Sequence, residues 1–229
     1  MSFYYFILLL NKMFEFNESD FKFKSPFGMI ISGPSGSGKT TFLMRFLKET
    51  QSLINPPPKS ILYCYSEYHD NISVMQNGEV QIHEGVLDEN LLNTLEKPSL
   101  VILDDLMTNV SEPYLTSLFT KKSHHKNMCV MFLTQDIFQK KGKVARNNSQ
   151  YIVLMRAPNA ALSIRNLGVQ LFPNQLDYFL DAYRQATTDN YGYLIIDLSA
   201  TSVPLMRLRT NIFKERENEE LTIFVPKNV

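Results

Sequence analysis

Residues 28–41 read Gly-Met-Ile-Ile-Ser-Gly-Pro-Ser-Gly-Ser-Gly-Lys-Thr-Thr, and this stretch restricts the possible folds more than any other. Residues 33–40 fit the pattern G-x-x-x-x-G-K-[ST] at every fixed position. The pattern carries weight only between a strand and a helix, and both are indicated. Met29, Ile30 and Ile31 form an apolar run suited to a buried strand, and residues 41–48 carry the apolar spacing of a helix. Glycines in the turn free the backbone to point successive N–H groups at an anion seated on the helix N-terminus, where the dipole also favours negative charge. In that geometry Lys39 reaches the β- and γ-phosphates and the Thr40 hydroxyl ligates Mg²⁺. Gly33, Pro34, Ser35, Gly36, Ser37, Gly38, Lys39, Thr40 and Thr41 are thus the expected binding loop for a nucleoside triphosphate.

The remaining chain repeats one theme. Apolar runs at 60–66, 100–104, 128–134, 151–155 and 191–197 read as strands, with shorter ones at 21–24 and 80–83 and a possible partner strand at 205–210. Between them lie helical patterns at 88–95 (Asp88 as N-cap), 114–122, 160–171 and 174–186. Asn77-Gly78-Glu79 is a turn signal, and the charged residues 214–220 read as a solvated connector. Strands that are apolar throughout and separated by helices imply a parallel sheet covered on both faces. With 229 residues, 44% hydrophobic, one α/β domain over 13–229 is expected. The apolar stretch Phe3–Leu10 is far too short to span a bilayer and lacks a signal peptide's features; residues 1–12 read as an extension or disordered tail ahead of an internal start at Met13. Cys64 and Cys129 both fall inside apolar runs, which suits buried reduced thiols and a cytosolic or nuclear compartment.

Ligands of parallel α/β sheets gather beyond the carboxyl ends of the strands, so the residues that close each apolar run matter most. Asp104 ends the run Leu100-Val-Ile-Leu and is the expected Mg²⁺ carboxylate; Asp105 beside it is the candidate to polarise the attacking water. Gln135 follows the 128–134 run. If that strand lies between the strands of 29–31 and 100–104, its amide approaches the γ-phosphate; otherwise it is a loop glutamine. No Asn-Lys-x-Asp motif is present, which disfavours a GTPase. Lys and Arg balance Asp and Glu at 23 each, yet residues 121–146 hold seven Lys or Arg against one acid, Asp136. Two readings stand open for that run: a local attraction for a phosphate backbone, or solvated lysines around a loop. His124 and His125 within it have no third ligand nearby and read as a solvated pair.

Gly33-Pro-Ser-Gly-Ser-Gly-Lys-Thr, Leu100-Val-Ile-Leu-Asp-Asp-Leu-Met107, Ser123-His-His-Lys-Asn-Met-Cys-Val-Met-Phe-Leu-Thr-Gln135 and Arg146-Asn-Asn-Ser-Gln-Tyr-Ile-Val-Leu154 occur in an order and spacing that resembles a known family. They are similar to the genome-packaging ATPases of double-stranded DNA viruses and Polinton/Maverick elements, the poxvirus-type branch of the FtsK–HerA superfamily. The resemblance spans about residues 20–210. It implies an additional-strand, RecA/FtsK-like P-loop NTPase fold, with a mainly parallel sheet between helices. It also implies a homo-oligomeric ring that drives duplex DNA, gripped by its backbone without regard to sequence, into a capsid. ATP and Mg²⁺ are the implied cofactors, capsid proteins the implied partners, and no membrane is involved. The implied setting is the interior of an infected or host cell, in nucleus or cytoplasm, with association with the virion left open. The same resemblance assigns Asp105 to the catalytic acid position, Gln135 to the sensor position, and Arg146, with Arg165 as second choice, to the arginine a neighbouring subunit supplies. Two other readings are a small-molecule kinase, which needs an arginine-rich lid, and a nucleotide-switched assembly protein without turnover.

Overall fold

The apolar runs do become strands, and their pairing sets everything else. The computed structural model describes residues 18–68, 70–76, 80–106, 109–139, 142–213 and 220–226. The expectations for residues 1–12 and for Asn77-Gly78-Glu79, and nearly all of the 214–220 connector, fall outside the described residues. The strands are β1 (Phe23–Lys24), β2 (Gly28–Ser32), β3 (Ile54–Asn55), β4 (Ser60–Tyr65), β5 (Val80–Glu84), β6 (Ser99–Asp104), β7 (Met128–Thr134), β8 (Tyr151–Met155), β9 (Tyr193–Asp197), β10 (Leu208–Thr210) and β11 (Thr222–Phe224). β1 and β3 pair with each other, and the other strands form one sheet in the order β11-β10-β9-β8-β2-β7-β6-β4-β5. The helices are α1 (Lys39–Lys48), α2 (Thr50–Leu53), α3 (Asn71–Gln76), α4 (Glu89–Thr94), α5 (Glu112–Ser117), α6 (Ser123–His125), α7 (Gly142–Asn148), α8 (Ala161–Leu171) and α9 (Leu176–Ala186).

Side chains alternate along each central strand between two apolar layers, as period-2 geometry requires. Ile30, Val101, Val130, Phe132 and Ile152 face the layer that includes Leu92 of α4, Leu115 of α5 and Leu167 of α8. Met29, Ile31, Ile102, Met131 and Val153 face the layer that includes Phe42, Leu43 and Phe46 of α1. Burial on both faces is why these strands read as unbroken apolar runs. Cys64 belongs to the first layer and Cys129 to the second, so both thiols are free and on opposite sides of the sheet. Burial pushes the Cys64 thiol up to about 12 and the Cys129 thiol up to about 11.

Three expectations change. The sheet is parallel from β5 to β8 and so mainly parallel, but the pairs β8–β9, β9–β10 and β10–β11 are antiparallel. The cause is the pair of helices α8 and α9 between β8 and β9. One helix returns the chain to the end where a strand began, whereas two bring it back to the end it just left, so β9 enters reversed. Second, the 21–24 run is not one strand of the main sheet. Residues Glu18–Phe21 form a 3₁₀ turn, and among the described residues β1 pairs with β3 alone, while Phe23 packs edge-on against Tyr151 with ring centroids 4.8 Å apart. Third, the helix expected at 114–122 starts earlier, with Ser111 Oγ accepting from the Tyr114 N–H at 3.3 Å, and Leu118–Lys122 winds as a π-helix. Phe119 in that turn lies against Gly28, where an added Cβ would stand 2.8 Å from its ring.

Candidate nucleotide-binding site

The loop between β2 and α1 is held from below. Gly33 N–H donates to the Thr134 carbonyl at 3.2 Å, which fastens the loop to β7, and Ser37 N–H donates to the Pro34 carbonyl at 3.2 Å. Gly36 and Gly38 have φ of 74° and 98°, a left-handed region in which a side chain is costly. Gly38 is the N-cap of α1, whose first turn receives no side-chain cap and holds no acid. Its leading N–H groups and dipole are therefore available to an anion. They open on a cleft of about 430 Å³ lined by Ser35, Gly36, Gly38, Lys39, Thr40 and Thr41.

Strand order brings the chemistry to the same place. β7 lies between β2 and β6, so the residues closing β6 and β7 come up beside the loop that follows β2. Asp104, Asp105 and Gln135 all line the cleft with Lys39 and Thr40. The condition set for Gln135, a strand inserted between those of the loop and the aspartates, is met. Lys39 Nζ donates to the carbonyls of Gly33 at 2.7 Å and Pro34 at 3.1 Å. Burial lowers its pKa, and the negative charges of Asp104 and Asp105 push back the other way. Asp105 has φ of 50°, tolerable for aspartate, and its carbonyl accepts from Ser66 Oγ at 3.1 Å.

The residues present suit a magnesium ion. Among the described residues no group of three or more His, Cys, Asp or Glu forms a protein cage. A carboxylate and a hydroxyl, completed by phosphate and water oxygens, is the way Mg²⁺ is usually held. Thr40 and Asp104, which both line the cleft, would be the two protein donors.

Several side chains of the site were not anticipated. Tyr63, central in β4 and 0% exposed, donates its hydroxyl to Asp104 Oδ2. Burial foremost, and then the Asp104 charge, hold that phenol far above its ordinary pKa, so it stays a donor. A tyrosine buried in the middle of a strand must satisfy its hydroxyl somewhere, which was the available signal. Tyr63→Phe should leave the fold intact and weaken Mg²⁺ binding in the presence of ATP by about 10- to 100-fold, the usual cost of losing such a supporting contact. A magnesium titration of nucleotide binding checks this, and an unchanged midpoint would remove Tyr63 from the site. Tyr65, Ser66, Glu67 and Tyr68, which follow β4 or end it, and Tyr191 also line the cleft.

Other expected residues lie elsewhere. Gly33, Pro34 and Ser37 form the loop without lining the cleft; Ser37 is buried, and a Cβ on Gly33 would stand 2.6 Å from its hydroxyl. Arg146 is outside this chain's own cleft, donating to the Ile137 carbonyl at 2.9 Å and stacked 4.6 Å over the Phe138 ring. Arg165 is exposed on α8, in a groove shared with Arg156 and Arg184. The basic run is divided. Lys122 and Lys126 precede β7 and both pair with Glu89, Lys126 at 3.0 Å, while Lys143 follows the strand's other end. Seven strand residues separate the two groups by roughly 20 Å. Lys140 and Lys141 lie outside the described residues.

No family model matches the chain, and no curated protein matches it. Solved structures do. The genome packaging NTPase B204 from Sulfolobus turreted icosahedral virus 2, in complex with sulfate, aligns over 87% of this chain and 96% of its own, at 12% identity and a TM-score of 0.52. The same protein in complex with AMPPCP aligns at 13% identity and a TM-score of 0.48, over 87% and 97%. EssC (ATPases 2 and 3) from Geobacillus thermodenitrificans aligns at 12% identity and 0.45, over 87% of this chain and 39% of that one. The architecture is α/β, a mainly parallel sheet between helical layers, and it is the fold of a P-loop NTPase.

Proposed function

We propose that the protein is an Mg·ATP-dependent motor that moves duplex DNA into a preformed capsid, working as a homo-oligomeric ring inside the infected or host cell. The observation that carries this reading is the strand order β2-β7-β6, which sets Gln135 between the phosphate loop and the two aspartates. The fold shared with the B204 packaging NTPase supports it.

Each residue then has a task. On binding, Lys39 exchanges the carbonyls of Gly33 and Pro34 for β- and γ-phosphate oxygens. The N-terminus of α1 holds the phosphate chain. Thr40 and Asp104 hold Mg²⁺, which when bound neutralises charge building on the phosphate oxygens. Asp105 orients the attacking water and takes its proton. Gln135 touches the γ-phosphate and loses that contact after hydrolysis. Its strand leads into residues 136–139 and onward to α7, which carries Lys143 and Arg146, so the change at the phosphate is passed to basic residues. An arginine lent by the neighbouring subunit completes the charge balance, a contribution of about 10³–10⁵ in rate where such residues have been measured. Arg146 is the first candidate and Arg165 the second; only Arg165 is exposed without the carbonyl and ring contacts that occupy Arg146.

ATP hydrolysis by the assembled protein should rise several-fold on adding duplex DNA of any sequence. The stimulation should fade as salt increases, because backbone contacts depend on released counterions. A rate indifferent to DNA across that salt range would overturn the motor reading and leave only a nucleotide hydrolase.

A further inference from the structure

We infer that Tyr191 is the platform on which the nucleobase stacks, a reading that rests on the cleft being a nucleotide site. Strand order gives the cleft a direction. Asp104 and Asp105 close β6, Gln135 follows β7, and the phosphate loop follows β2, so the metal and γ-phosphate end lies toward β6. Tyr191 reaches the same cleft from the opposite flank, because it precedes β9, which lies beyond β8. A triphosphate whose terminal group faces Lys39 and Gln135 therefore points its nucleoside toward Tyr191.

The ring is both exposed and held. Tyr191 is 57% exposed and borders the cleft. Its backbone takes φ of 63°, a conformation that is rare for an aromatic residue. Its side chain lies on the phosphate loop itself: a Cβ added to Gly38 would stand 2.7 Å from Tyr191 Cδ1. The next residue is tied down twice, with Gly192 N–H donating to the Asp189 carbonyl and Arg156 N–H donating to the Gly192 carbonyl, both at 3.1 Å. A fixed, exposed aromatic face beside a phosphate site suits a flat heterocycle, and stacking reads the face of a base rather than its edge. Tyr191 should thus favour purines over pyrimidines without separating adenine from guanine. Tyr68, 63% exposed on the same cleft, is the rival ring. It follows β4, on the metal flank, and packs edge-on to Tyr65 at 6.4 Å.

The test compares binding of Mg·ATP with binding of inorganic triphosphate, which has the phosphates and no base. Tyr191→Ala should weaken ATP by about tenfold to a hundredfold, the range of one base stack, and leave triphosphate unchanged. Tyr191→Phe should bind both as the native protein does. The chain has no tryptophan, so Tyr191→Trp supplies a single indole, excited selectively beyond the tyrosine absorption band, whose emission ATP should quench and triphosphate should not. Equal ATP affinity in Tyr191→Ala, equal losses for both ligands, or a base-selective loss in Tyr68→Ala instead would each overturn the assignment. If the native protein binds neither ligand, the nucleotide reading itself fails, which is a different result from any of these.

Discussion

Replacing Lys39 with alanine should leave a folded protein that no longer binds ATP. The fold survives because the amine's present partners, the carbonyls of Gly33 and Pro34, border an open cleft and can turn to water. That exchange costs no more than about 1 kcal/mol. Binding suffers far more. A charged donor to a phosphate contributes about 1.5–3 kcal/mol, the higher end where the amine is partly desolvated, as burial makes Lys39. Its removal also takes away a positive charge that acts on Asp104 and Asp105, so a polyanion entering the cleft meets more of their negative charge. Together these should lower affinity by about a thousandfold. Calorimetric titration beside a thermal melt measures both halves. ATP affinity within tenfold of native, with an unchanged melt, would mean that the phosphates are held somewhere other than this loop.

How much of this was readable from the chain depended on whether the signal was local. The β2–loop–α1 unit was legible because its strand, glycines and lysine are contiguous. Asp104, Asp105 and Gln135 were legible by a rule about strand ends that needs only the limits of each apolar run. Which strands stand side by side is not local. The insertion of β7 between β2 and β6 entered only as a condition on Gln135, since nothing in an apolar run names its neighbour. The reversal of β9 follows from counting the helices α8 and α9, an inference that was open and not drawn. Tyr63 was hidden because a tyrosine amid Ile-Leu-Tyr-Cys-Tyr reads as core filler until its partner Asp104 is brought across from β6. Tyr191 looked like the first residue of a strand, whereas β9 begins at Tyr193 and leaves it at the cleft. The basic run shows the opposite failure. Counting charge along the chain joined Lys122 and Lys126 to Lys143, and the length of β7 and the carboxylate of Glu89 separate them.

Asp105→Asn should separate binding from turnover, and the sign of each effect follows from the cleft. Asparagine has nearly the same shape and accepts a φ of 50° as readily as aspartate, so the turn after β6 should persist. The Ser66 Oγ contact to the Asp105 carbonyl is to backbone and survives the change. Removing a negative charge from a cleft that takes a polyanion favours binding, so ATP affinity should hold or tighten by a few-fold. Hydrolysis should fall by about 10²–10⁴, the usual contribution of a positioned base, because an amide cannot take a proton from water. Asp104→Asn should behave differently: if Asp104 holds the metal as proposed, its loss of binding should be partly recovered by excess magnesium, which cannot restore turnover to Asp105→Asn. Single-turnover hydrolysis with saturating ATP distinguishes the two. Should Asp105→Asn hydrolyse ATP at the native rate, the base is another carboxylate of the same cleft. Glu67 then becomes the residue to replace, since it is exposed there just beyond β4, the strand paired with β6 on the side away from β7.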